Sequence, residues 1–150
     1  MQRTRILIVD DHEIFRRGLR ALLESRDEFD ISGEAANGVE AVEKAKELLP
    51  DIIVMDVSMP QMDGLQATRL IRREHPDAKV LILSQHDSSH MLSAACDAGA
   101  SAYVTKSQVA RSLFTALEAI IEGRPFSWKG AEAGGPGHPP PEPAAPTEPK

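Results

Sequence analysis

The chain has 150 residues, which suits one domain, and its 17 basic and 23 acidic side chains give a net charge of −6. That acidic balance argues against a nucleic-acid surface, which needs a basic patch. The single cysteine excludes an internal disulfide, and no apolar run approaches the roughly 18 residues that span a bilayer. We therefore expect a cytoplasmic protein that contacts neither a membrane nor nucleic acid directly.

Strand-like and helix-like segments alternate five times along the chain. Short apolar runs predict strands over residues 5–10, 29–34, 52–56, 80–84 and 101–105. Apolar stripes and stop signals predict helices over residues 13–25, 38–49, 88–98 and 108–122, and another between Gly64 and His75. Connections this short imply an α/β fold, with a parallel sheet and helices on both faces. Five strands favour the flavodoxin-like order 2-1-3-4-5.

Two details of the helices are predicted from single residues. Asn37 is expected to cap the second helix, since its side-chain oxygen can accept from the first unpaired N–H groups. Cys96 is expected to be a small buried hydrophobe on the fourth helix.

The composition changes abruptly after Trp128. Seven of the 11 prolines lie beyond residue 130, where glycine and alanine are also frequent. Because such a segment holds neither a helix nor a central strand, we predict a disordered, partly polyproline-II tail. The expected organisation is one folded domain over residues 1–125 and a Pro/Gly-rich tail over residues 126–150, with no effector domain.

Polar residues stand at the ends of four predicted strands. The first strand ends in Asp10 and Asp11, and the third ends in Asp56. The fourth strand ends in Ser84, and Lys106 follows the fifth. Because the carboxyl ends of parallel strands share one edge of the sheet, three carboxylates, a hydroxyl and an ammonium should converge there.

Three clustered carboxylates require compensation, since like charges 4 Å apart repel by about 4 kcal/mol at an effective dielectric constant near 20. Protonation of one member is one remedy, and a hard cation is the other. Mg²⁺ prefers oxygen ligands and keeps several waters. Asp11 and Asp56 would bind it directly, Asp10 through water, and the backbone carbonyl of Ser58 would complete the set.

Asp56 can also act as a nucleophile, because carboxylates form aspartyl-phosphate intermediates. Lys106 would then pair with one phosphoryl oxygen, and the Ser84 hydroxyl would donate to another. Positioning and charge neutralisation supply most of the catalysis in such transfers.

Four motifs in this order resemble the receiver domain of bacterial two-component response regulators. They lie at residues 9–12, 55–64, 83–84 and 103–106, and the resemblance covers residues 4–123. The segment from Asp56 to Gly64 and the Tyr-x-x-Lys-Ser ending are most similar to the NarL/FixJ (LuxR-type) subgroup.

The resemblance implies a role for each matching residue. Asp56 resembles the phosphoacceptor, Asp10 and Asp11 the magnesium-binding acidic pair, and Lys106 the phosphoryl-contacting lysine. The implied cofactor is Mg²⁺, and the implied partner is a sensor histidine kinase or a phosphotransfer protein. Such a domain is a signalling module rather than an enzyme.

The resemblance also implies a switch. Ser84 resembles the hydroxyl that turns toward the phosphoryl group, and Tyr103 the aromatic that then rotates inward. Output would pass through the surface of the fourth helix, fifth strand and fifth helix, to a partner or a second copy of the chain. His86 stands where receivers tune the lifetime of the phosphoryl group. Plainer alternatives stay open: Tyr103 as ordinary packing and His86 as an exposed loop residue.

Two other functions are compatible with the sequence. A NarL/FixJ-type regulator would continue into a helix-turn-helix domain, and nothing after Gly123 resembles one, so the chain is alternatively a transcriptional regulator that lost its DNA-binding domain by truncation or frameshift. A magnesium-dependent aspartyl phosphatase is the other alternative. Such enzymes usually need a second acid close after the nucleophile, where this chain has Ser58.

Overall fold

A computed structural model describes residues 3–57, 62–85, 89–124 and 126–127. Within these ranges the chain forms six strands: β1 (Thr4–Val9), β2 (Phe29–Ala35), β3 (Ile52–Asp56), β4 (Lys79–Ser84), β5 (Ala102–Thr105) and β6 (Phe126–Ser127). It also forms five α-helices there: α1 (Glu13–Glu24), α2 (Gly38–Leu48), α3 (Gly64–Glu74), α4 (Ser89–Ala98) and α5 (Val109–Ile121). A single 3-10 turn, Lys106–Gln108, joins β5 to α5.

All strands pair in parallel, in the order β2-β1-β3-β4-β5-β6. The predicted order 2-1-3-4-5 is confirmed for the first five. The short β6 pairs Phe126 with Ala102 and Ser127 with Tyr103. Two residues that the composition assigns to the tail therefore join the sheet, where they cover part of an edge that would otherwise present unpaired backbone groups. Residues 128–150 lie outside the described ranges.

The sheet is covered on both faces, as predicted. Successive residues of a strand point to opposite faces, so Ile6 and Ile8 belong to one core cluster and Leu7 and Val9 to the other. The first cluster includes residues of α1 and α5, and the second includes residues of α2, α3 and α4. The last four of the six β1 residues are fully buried, which explains why they form a continuous apolar run.

The helix boundaries follow from specific caps. The Glu40 backbone N–H donates to Asn37 Oδ1 at 2.8 Å, which confirms the predicted cap of α2. Asp63 and Gln66 form a reciprocal capping box at the start of α3. After α4, Gly99 has a φ of 99°, a conformation that suits glycine. The described helices have 10 to 13 residues each, and none of them has the length and apolar content needed to span a bilayer.

Cys96 corrects one expectation, because it is exposed rather than buried on α4. Its neighbour Ala95 is the residue that packs into the core, at 1% exposure. Successive side chains of a helix are rotated by about 100° around its axis, so adjacent positions have very different surroundings. Partial desolvation, followed by the charge of Asp97, raises the pKa of the Cys96 thiol.

Candidate functional site

The polar strand ends converge at one edge of the sheet. Asp56 and Ser84 end β3 and β4, while Asp10 and Lys106 directly follow β1 and β5. The parallel register sets Val9 beside Met55, Asp56 beside Leu83 and Ser84 beside Thr105. Three of these polar side chains are deeply buried: Asp10 and Ser84 at 0% exposure and Asp56 at 1%.

Lys106 supplies the positive charge inside this group. Its Nζ lies 2.9 Å from Asp10 Oδ2 and 3.5 Å from Asp56 Oδ2, and its side chain is 11% exposed. The same Nζ stands 4.5 Å from the ring centroid of Phe15, on α1. The amine and the two acids therefore meet in one pocket, as the sequence predicted. Phe15 is a contact that sequence reasoning missed, since its stripe on α1 indicates only core packing.

The outer wall of the pocket is formed by Asp11 and His12. The His12 backbone N–H donates to Asp10 Oδ1 at 2.8 Å. Its imidazole Nδ1 lies 3.1 Å from Asp11 Oδ1 and 3.3 Å from Asp10 Oδ1, while more than half of the His12 side chain is exposed. His12 was not predicted as a site residue, although its place directly after two acids is the signal that would have indicated it.

The donor set fits a divalent cation. One ligand atom each from Asp10, Asp11, His12 and Asp56 lie within 4.8 Å of one another. Three carboxylates against the single ammonium of Lys106 leave two negative charges uncompensated among these groups when His12 is neutral. Carboxylate oxygens in this arrangement suit Mg²⁺. The fourth predicted ligand, the Ser58 carbonyl, lies outside the described residues.

The two predicted switch residues are both buried. Ser84 ends β4 beside the acidic pocket, and Tyr103 is 1% exposed on β5. Tyr103 belongs to the core cluster that also contains Ala95 of α4, with Met91 and Leu92 packed against that cluster. The phenol is therefore already buried in this structure, in the core cluster to which α4 contributes Ala95. His86 lies outside the described residues.

Gly64 brings the start of α3 against the backbone of Asp56. Its N–H donates to Val57 O at 3.1 Å, and its carbonyl accepts from Thr68 Oγ1 at 2.7 Å. A Cβ placed on Gly64 would lie 2.1 Å from Asp56 O and 2.8 Å from Val57 Cα. Only glycine permits this approach, so Gly64 helps to define where the Asp56 carboxylate stands.

Replacing Gly64 with alanine is expected to destabilise the fold by about 3 kcal/mol, because the new methyl group must displace backbone atoms. Urea unfolding monitored by circular dichroism measures this. The matched control is Gly18→Ala within α1, where a Cβ would meet nothing within 4 Å. That variant should gain up to about 1 kcal/mol from helix propensity. Equal stabilities for the two variants would contradict the prediction.

Comparison with known proteins places this site in a family context. Residues 6–118 match the family described as the response regulator receiver domain. The chain is 42% identical over 119 residues to the transcriptional regulatory protein YdfI of Bacillus subtilis. The aligned residues cover 79% of this chain and 55% of YdfI. It is 40% identical over 121 residues to LiaR of the same organism, in an alignment that covers 81% of this chain and 57% of LiaR. The chain thus spans about half the length of the curated relatives it matches.

Solved structures agree with this match. A two-component response regulator of the LuxR family from Aurantimonas sp. SI85-9A1 is 43% identical, with a TM-score of 0.80 over 83% of this chain and 89% of that one. The isolated receiver domain of RcsB from Salmonella enterica, solved with the phosphomimetic BeF3−, is 26% identical. Its TM-score is 0.78, over 84% of this chain and 94% of that one.

Proposed function

The chain belongs to the response regulator receiver domain family, with relatives of the LuxR and NarL type, and from this premise we propose that it accepts a phosphoryl group on Asp56. The donor would be a sensor histidine kinase or a phosphotransfer protein. The observation that carries the proposal is the Asp56 carboxylate, buried at 1% exposure and 3.5 Å from the ammonium of Lys106. We propose a receiver that extends two residues past the predicted boundary at residue 125, to the β6 strand, with the Pro/Gly-rich tail after it.

The reaction needs one nucleophilic oxygen and compensated charge. A carboxylate oxygen of Asp56 forms a bond to phosphorus as the phosphorus–nitrogen bond of the donor phosphohistidine breaks, and the departing imidazole takes a proton from solvent. Lys106 lies where its ammonium can pair with a phosphoryl oxygen, and Ser84 ends the neighbouring strand, where its hydroxyl can donate to another. Asp10, Asp11 and Asp56 would hold Mg²⁺, which when bound neutralises charge on the phosphoryl oxygens.

The proposed output uses the surface of α4, β5 and α5. Ser84 ends β4, the strand that pairs with β5. Tyr103 lies on β5 and shares its core cluster with Ala95 of α4. Because Tyr103 is already enclosed, we infer that phosphorylation changes how Ser84 and α4 pack around the phenol more than it changes the exposure of the ring. The altered surface would bind a partner or a second copy of the chain.

Acetyl phosphate tests the proposal without a kinase. With MgCl₂ the wild-type chain should gain the mass of one phosphoryl group in intact-protein mass spectrometry, and EDTA should prevent the gain. Beryllofluoride with MgCl₂ should shift the amide signals of α4 and β5 in NMR spectra, and gel filtration of the same sample reports dimer formation. A chain that gains no mass and whose spectrum is unchanged would refute the proposal.

A second candidate concerns the whole protein. The curated relatives are named transcriptional regulatory proteins, and this chain spans about half their length. We infer that the alternative function is transcriptional regulation, in which this chain serves as the receiver. Translating the downstream DNA in all frames is the test, and a helix-turn-helix in none of them would remove the idea. Steady turnover of a small phosphoester would instead support the aspartyl phosphatase over a non-enzymatic switch.

A further inference from the structure

Asp10 has four contacts of 3.0 Å or less, two on its backbone and two on its side chain. Its N–H donates to Ala35 O at 3.0 Å, and its carbonyl accepts from Arg16 Nη1 at 2.6 Å. Its carboxylate accepts from the His12 N–H at 2.8 Å and pairs with Lys106 at 2.9 Å. One of these four contacts, the one from Arg16, comes from a charged side chain that lies outside the acidic pocket.

Arg16 is itself fixed by Glu34 on the edge strand β2. Arg16 Nε donates to Glu34 Oε1 at 2.7 Å, and Arg20 Nη1 donates to Glu34 Oε2 at 2.5 Å. The side chains of Arg16 and Glu34 are only 18% and 26% exposed. Burial by itself would raise the pKa of Glu34, but the hydrogen bonds from Arg20 and Arg16 outweigh it, and the pKa is lowered. Glu34 is therefore a charged anchor at neutral pH.

The guanidinium geometry links this anchor to the acidic pocket. Nε and Nη1 of one rigid planar group donate to two different acceptors, the carboxylate of Glu34 and the carbonyl of Asp10. The orientation of that carbonyl defines the peptide plane between Asp10 and Asp11. Both acidic side chains project from the two residues that this plane joins, so a change at Glu34 can reach the carboxylates without touching them.

We propose that Arg16, anchored by Glu34, is a positioning residue that orients the acidic pair for divalent-cation binding. The inference rests on the proposed function, because it concerns the same pocket. Partners that orient metal ligands from outside the coordination sphere commonly contribute ten- to hundredfold to metal affinity. Arg16 acts on the backbone of one ligand, so an effect near the lower end of that range is expected.

Isothermal titration with MgCl₂ tests the inference on Glu34→Gln, which keeps the shape of the anchor and removes its charge. We expect the Mg²⁺ dissociation constant to rise about tenfold. Arg16→Lys should give a similar loss, because an ammonium cannot donate to both acceptors in the geometry of the guanidinium. The double variant should bind Mg²⁺ no more weakly than Arg16→Lys alone, because the two residues act in one chain of contacts.

Glu13→Gln is the matched control. Glu13 pairs with Arg17 at 2.6 Å on the same helix, and both side chains are largely exposed. Its Mg²⁺ dissociation constant should stay within about twofold of wild type, since exposed pairs contribute little. Amide hydrogen exchange in EDTA gives a metal-free readout, in which the His12 N–H should exchange faster in Glu34→Gln than in the control.

Two outcomes would overturn the inference in distinguishable ways. A Glu34→Gln variant with a lower urea midpoint but a wild-type Mg²⁺ dissociation constant would show that the anchor is only structural. A wild-type chain that binds no Mg²⁺ would contradict the inference, and would count against the metal in the proposed function as well. A wild-type chain that binds Mg²⁺ but gains no phosphoryl group would refute the proposed function while leaving the positioning of the cation site supported.

Discussion

Replacing Asp56 with asparagine is expected to abolish phosphoryl acceptance entirely while leaving the fold intact. The amide has nearly the shape of the carboxylate but offers no nucleophilic oxygen. It also removes one of the clustered negative charges, of which Lys106 compensates only part. In EDTA the variant should therefore be as stable as wild type or more stable, by on the order of 1 kcal/mol.

Two measurements separate these expectations. Mass spectrometry after treatment with acetyl phosphate and MgCl₂ should show no phosphoryl group on Asp56→Asn. Urea unfolding in EDTA should show no loss of stability. The control is Asp77→Asn, an exposed residue just before β4, at the opposite end of the strand from the pocket. That variant should gain mass like wild type, and incorporation into Asp56→Asn at the wild-type level would move the acceptor elsewhere.

Replacing Lys106 with methionine is expected to destabilise the fold strongly in the absence of metal. Asp10 and Asp56 are 0% and 1% exposed, and Lys106 is the cation that the described structure places against both. Removing one partner from a buried ionic group typically costs about 3–5 kcal/mol. We expect a loss near 3 kcal/mol in EDTA, since the outer side of the pocket is partly open to water.

Mg²⁺ should restore much of this loss, because a divalent cation among the same carboxylates replaces the missing positive charge. Urea unfolding of Lys106→Met with EDTA and with MgCl₂ therefore tests the charge balance of the pocket. The gain from Mg²⁺ should be larger in the variant than in wild type. Lys46→Met, on the exposed side of α2, is the control and should lose little. Equal Mg²⁺ gains in both variants would contradict this account.

The stability and the chemistry of the pocket depend on the same charges. The buried carboxylates of Asp10 and Asp56 are tolerated because Lys106 lies between them, and the balance remains negative. Such a site favours any added positive charge and any phosphoryl group that arrives together with one. A cation that binds only the folded chain also stabilises it by mass action.

Much of the fold was predictable because it depends on short-range patterns. The apolar runs of β1 and β3 identify buried strands, and Asn37 and Gly99 mark helix ends through their own local chemistry. The parallel sheet followed from the short connections between elements, and the presence of five strands favoured the observed order. The meeting of Asp10, Asp56 and Lys106 was predictable for the same reason, since parallel strands bring their carboxyl ends to one edge.

Other features depended on contacts between distant parts of the chain. Cys96 was assigned to the core and Ala95 was not, because the small residues of α4 give a weak amphipathic pattern. Phe126 pairs with β5, but its composition does not distinguish it from the proline-rich segment that follows. Arg16 was indistinguishable from a solvated residue of α1, since its partner Glu34 lies 18 positions away.

The order of residues by itself determined the sheet, its covering helices and which polar groups share an edge. Burial follows from local periodicity, and parallel strand direction follows from the alternation of strands with helices. Only the tertiary structure decided how those groups pair. It placed Lys106 nearer to Asp10 than to Asp56, buried the Tyr103 ring in the core, and directed Arg16 to the Asp10 carbonyl. The physical reason is that hydrogen bonds and ion pairs are sensitive to differences of about a few tenths of an ångström in the distances between side chains of different elements. Only the packing of those elements sets such distances.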